Sequence, residues 1–95
     1  MTPVTHIPKD AKCYARSPDF NRKTVPEKLL SDHNLKAGTW GKLIVIRGEI
    51  RYFNAGSKAP DAIILAPESH VIPTQQMHFI QVSEEAEFYI EFWRR

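Results

Sequence analysis

The sequence predicts an all-β domain with one short helix, closed as a jelly-roll barrel, and three observations point there. After residue 38 the chain is a succession of short apolar runs separated by turn signals, the pattern of a sandwich or barrel rather than of alternating β-α units. The run Leu43 to Ile46 is unbroken and branched, which fits a strand buried on both faces. Finally, 95 residues make one domain, because folding at this size buries only roughly 60 to 65% of the surface that the unfolded chain exposes. A barrel limits the exposed edges of so small a sheet.

Taken in order, residues 1–10 hold two prolines and little periodicity, and read as an irregular arm. Residues 11–16 suit an edge strand before a Ser-Pro-Asp turn. The sequence T-V-P-E from Thr24 to Glu27 has the form of a capping box, and predicts a helix over 25–33 with Leu29 and Leu30 as its apolar stripe. Strands are expected near 40–47, 49–54, 61–66, 69–73, 77–83 and 86–93. Gly48 supplies the turn of a hairpin between the first two, and residues 54–60 form a polar loop.

Composition removes several function classes. The formal charge is +2 and the 13 Lys and Arg residues are scattered, so the concentrated basic face that a phosphate backbone requires is missing and nucleic-acid binding is not expected. The N-terminus lacks a charged start and an apolar signal core, and no apolar run exceeds five residues, which predicts a soluble, cytoplasmic protein without a membrane segment. The lone Cys13 agrees with a reducing compartment and is expected as a small buried apolar residue rather than a nucleophile.

Chemistry centres on His78. Alternation places it with Ile80 and Val82 on the inner face of its strand. If Ser83 to Ala86 form a four-residue hairpin loop, Val82 faces Glu87, Ile80 faces Tyr89 and His78 faces Glu91. His33, at the helix end, is a third donor if that end folds over the barrel mouth. Two imidazoles and a carboxylate, His33, His78 and Glu91, would suit a divalent metal such as zinc, iron, nickel or manganese. The alternative is a hydrogen-bonded His78–Glu91 pair that stiffens the hairpin, with His33 at the negative end of the helix. Trp40 is either part of the pocket lining or a core or interface anchor. His70 is expected to cap the Pro-Glu-Ser turn, and His6 to be solvated in the arm. The other face of the last hairpin carries Met77, Phe79, Phe88, Ile90 and Phe92, more than a small barrel can shelter, and predicts a homodimer.

The block GTWGKL at 38–43, followed by an apolar strand and a Gly turn, stands in an ordered set with Tyr14, Arg16, Pro18, Phe20, Thr24, Pro26, His33, PESH at 67–70 and His78. This set resembles the N-terminal domain of tellurite-resistance protein B and its YeaR-like relatives, in the cupin superfamily. The resemblance implies a cupin-like double-stranded β-helix and a role in resistance to tellurite or related oxyanions. Leu35, Ala37 and Gly41 stand where metal-binding cupins place the ligands of their first motif, whereas the interval from Pro73 to His78 matches the second. The resemblance also implies that in the full-length family member this domain precedes a methyltransferase domain that uses S-adenosylmethionine. These 95 residues include neither the Gly-rich loop nor the acidic ribose ligand such a domain needs, so that activity is not expected of them. Three functions stay open: a binding or sensing domain for a small molecule or oxyanion with a pocket of His33, Trp40, His78 and Glu91; a metal-dependent enzyme of dioxygenase or isomerase type; and a homodimeric interaction module without a ligand.

Overall fold

The computed structural model describes residues 6–95. Its elements are β1 (Lys12–Arg16), β2 (Phe20–Asn21), a single 3-10 turn (Glu27–Leu30), β3 (Thr39–Arg47), β4 (Glu49–Asn54), β5 (Ala62–Leu65), β6 (Ser69–Ile72), β7 (His78–Val82) and β8 (Glu87–Arg94). From residue 39 onward each strand lies within two residues of its sequence expectation, because period-two alternation marks a half-buried strand strongly. The two-residue β2 was not expected.

The strands form two antiparallel sheets. One has the order β1-β8-β3-β6, with β2 also paired to β8, and the other the order β5-β4-β7. Among the described residues no strand ladder joins the two, so the all-β class holds while the sheets are not closed into one hydrogen-bonded barrel. From β3 onward every connection except that between β4 and β5 crosses from one sheet to the other, and the inner faces of the two sheets share one core. Leu43, Val45, Phe88 and Ile90 come from the first sheet, and Ile50, Tyr52, Ile64 and Ile80 from the second.

Two of these crossings correct both expected hairpins. β3 and β4 are separated by Gly48 alone, too short a connection for a two-residue hairpin turn, and they lie in different sheets. Residues Ser83 to Ala86 likewise carry the chain from β7 in one sheet to β8 in the other. The two crossings touch: the Glu49 N–H donates to Ser83 Oγ at 3.1 Å and the Ser83 N–H to the Glu49 carbonyl at 3.1 Å. Gly48 has φ +73, and a Cβ there would lie 2.8 Å from Ser83 Oγ and 2.9 Å from the Ala86 backbone. Gly48→Ala is therefore expected to cost about 2 kcal/mol through left-handed strain and overpacking. A shift of the urea midpoint at constant m-value would register it, and an unchanged midpoint would contradict this account of the crossing.

Other expectations are also revised. The helix over 25–33 shrinks to one 3-10 turn with Pro26 at its N-cap and no side-chain cap, since a residue before proline avoids helical angles. Thr24 Oγ1 instead accepts from the Asn21 N–H at 2.9 Å, and Asn21 Oδ1 accepts from the Lys23 and Thr24 N–H groups. Within 43–46, Leu43 and Val45 are fully buried, Ile44 is half-buried and Ile46 is 42% exposed, so β3 is fully buried on one face only. Cys13 is exposed, because β1 is an edge strand without a buried side. The apolar face expected for a dimer does not exist as one surface. Phe88 and Ile90 point into the core from β8, whereas Phe79 on β7 stacks on Phe53 at 4.6 Å.

Candidate functional site

His78 lies on the inner face of β7 with Ile80, both almost completely buried, and Val82 is half-buried. Its strand partner is Asn54 of β4 and not Glu91. Glu91 pairs with Lys42 of β3 and Arg16 of β1 in the opposite sheet, and its carboxylate accepts from Trp93 Nε1 at 3.3 Å. The four-residue loop that would have paired His78 with Glu91 is a crossing between sheets. The expected hairpin bond is thus absent, and with it the expected ligand triad. Among the described residues no three His, Cys, Asp or Glu side chains are placed to hold one metal ion.

His33, in contrast, does reach His78. The strand-like segment after the 3-10 turn adds to the edge of β7 through an isolated bridge, with the His33 N–H donating to the His78 carbonyl at 2.9 Å and the His78 N–H returning to the His33 carbonyl at 2.8 Å. Paired residues share a face, and the two rings sit 4.2 Å apart. Tyr52, opposite Ile80 on β4, is the diagonal neighbour of His78, and their rings stack at 5.2 Å and 19°. From the other sheet, His70 on β6 brings its ring to 4.5 Å from that of Tyr52. Three imidazoles and one phenol from four separate segments thus meet inside the sandwich.

Protonation follows from the contacts. His78 Nδ1 lies 2.8 Å from the Gln76 carbonyl and His33 Nδ1 lies 3.0 Å from the Ser31 carbonyl. A carbonyl can only accept, so each Nδ1 carries the proton, and in a neutral ring Nε2 is left as an acceptor. Burial pushes the His78 pKa down to about 4, assisted by the charges that His33 and His70 would carry. Burial also lowers the pKa of His70. Burial first and the Asp61 carboxylate second push the Tyr52 phenol above its ordinary range, which keeps it a protonated donor. The Tyr52 hydroxyl is buried with no hydrogen-bond partner, and so is Asn54 Oδ1. Alternation puts both residues on the same face of β4. Two orphaned polar atoms in a small core are a cost that folding alone does not explain.

Of the four residues expected at the site, His33 and His78 are together, Glu91 is on the outer face of the other sheet, and Trp40 lines a separate cleft. Tyr52 and His70 were missed. Alternation alone could have found them, since Tyr52 stands two residues from buried Ile50, and His70 two residues from buried Ile72. The turn-capping role expected for His70 is replaced by its place within β6.

The family model described as TehB-like domain matches residues 15–90, covering both sheets and the histidine cluster. The chain belongs to the TehB-like domain family. A probable S-adenosyl-L-methionine-dependent methyltransferase TehB of Haemophilus influenzae is 31% identical over 87 residues, 85% of this chain and 30% of that protein. The TehB-like domain thus spans about a third of the curated relatives it matches. Its fold superposes on the crystal structure of TehB from Haemophilus influenzae with TM-score 0.79 and 27% identity, covering 92% of this chain and 32% of that one. A structural-genomics protein from Escherichia coli strain K12 matches with TM-score 0.82 and 25% identity over 95% of this chain and 96% of its own. No helix among the described residues of the TehB-like domain is long and apolar enough to cross a membrane.

Proposed function

We propose that this TehB-like domain is a small cupin-like binding or sensing module for an oxyanion such as tellurite, with His33, Tyr52, His70 and His78 around the ligand. The observation that carries this reading is the Tyr52 hydroxyl, buried without a partner between the rings of His70 and His78. A hydroxyl donor beside Nε2 acceptors suits an oxyacid that still carries protons: an oxo group would accept from Tyr52 while its O–H groups donate to the imidazoles. A fully ionised dianion would meet lone pairs and is disfavoured. The repeated crossing of the chain between two facing sheets supports the cupin-like assignment. In longer members of the family such a module would accompany the methyltransferase for which the Haemophilus relative is named. We assign no methyl transfer to these residues.

Tyr52→Phe tests the reading. Removing an orphaned hydroxyl relieves its desolvation, so the variant is expected to be as stable as wild type or more stable by about 1 kcal/mol. It should also lose tellurite binding in calorimetric titration at pH 7.5. Equal affinity in the two proteins, or no binding by wild type, would overturn the proposal.

The metal-enzyme reading loses its carboxylate, because Glu91 lies outside the sandwich. A homodimeric module is favoured by one observation: the edge strand β5 carries Ile63 and Leu65 at 53% and 51% exposure. A partner on that strand would pair an open edge but would leave the buried polar cluster unexplained. We therefore place it second.

A further inference from the structure

A cleft of about 620 Å3 lies where the chain around Pro8 to Asp10 meets the start of β3, and it is lined by Trp40. Leu43 and Val45 point into the core and Gly41 is buried on the same face, so alternation turns Trp40 outward, where it lines the cleft with an apolar ring. Pro8 and Pro73 flank it, and Lys9, Asp10 and Arg95 supply charge. The Arg95 guanidinium is held by Asp10 at 3.0 Å and stands 5.7 Å from the Trp40 ring. Lys9 is exposed and meets no carboxylate among the described residues. With the Arg95 guanidinium held by Asp10, the Lys9 ammonium is the lining cation without a carboxylate partner among the described residues, beside a flat aromatic surface. The volume falls in the range of small-molecule sites, which pair apolar walls with a few polar groups.

We infer that this cleft is a second binding site, independent of the histidine cluster, that takes a planar aromatic carboxylate with its ring on Trp40 and its carboxylate on the Lys9 ammonium. Neither an inorganic oxyanion, which has no ring to stack, nor a neutral aromatic, which gains nothing from Lys9, satisfies both features.

The test is nuclear magnetic resonance on the 95-residue chain with indole-3-carboxylate as probe. The indole N–H signal of Trp40, identified by its loss in Trp40→Phe, should move saturably, with a dissociation constant on the order of 1 mM or tighter. Lys9→Met, exposed and harmless to the fold, should weaken binding about fivefold, as expected for an exposed ion pair. Indole-3-carboxamide should be weakened similarly. No movement of the Trp40 signal up to about 10 mM probe would overturn the inference. So would equal affinity of the amide and acid, or of Lys9→Met and wild type. Tellurite binding is read separately on Tyr52→Phe, so failure at one site leaves the other standing.

Discussion

Phe88→Ala is expected to destabilise the domain by about 3 to 5 kcal/mol, a large share of the 5 to 15 kcal/mol typical of a whole domain. Phe88 is fully buried and lies opposite Val45 on β3 and opposite Phe20 on β2, with the two phenyl rings 5.7 Å apart. Its loss would open a cavity where the strands of the larger sheet face Ile50 and Ile80 of the smaller one. A rigid two-sheet core collapses only partly around such a void. Phe79→Ala serves as the control, since Phe79 is half-buried, stacks on Phe53 and should cost distinctly less. Urea unfolding of the two variants decides between the topologies: a β7–β8 hairpin with Phe79 and Phe88 on one face would give them similar losses.

Acidification should remove about 3 kcal/mol of stability between pH 6.5 and pH 4. The cause is His78, whose pKa falls to about 4 in the folded chain from 6.5. A histidine kept neutral by burial contributes no penalty above the unfolded value. As pH drops below 6.5 the unfolded chain takes up a proton that the folded chain refuses, and stability declines until the folded pKa is reached. His70, lowered by the same cause, acts in the same direction. Asp61 does not confuse this window. Its carboxyl is held low chiefly by the Asn54 N–H, so what it contributes is lost only at more acid pH. Urea midpoints at several pH values would trace the decline. A flat profile from pH 6.5 to 4 would show that the His78 ring finds solvent or a proton-accepting partner in the folded state.

Much of the fold was legible because local rules apply to it. Leu43 and Val45 alternate with outward residues, as do Phe88 and Ile90, and that pattern locates strands to within two residues. Placing His78 on the inner face rested on the same logic. The short helix failed because the T-V-P-E motif carries competing signals: a capping box favours helix while Pro26 constrains the residue before it. Only the turn Glu27–Leu30 survives, and the freed chain lets His33 reach β7.

Partner choice was the part that alternation could not supply. Whether β7 pairs with β8 or with β4 leaves the inner residues of β7 inner in either case, so His78 was placed correctly while its neighbour was not. The single-residue connection at Gly48 and the crossing at Ser83 to Ala86 send consecutive strands to opposite sheets. Glu91 is thereby carried outside, and Tyr52 and His70 are brought against His78. The sequence by itself determined which residues are strands and which side chains turn inward, because those are properties of one strand and its neighbours in the chain. Only the tertiary structure decided which inward groups meet, because strand pairing is set by long-range packing of two sheets around a shared core, and the rings of His33, Tyr52, His70 and His78 converge only once that packing exists.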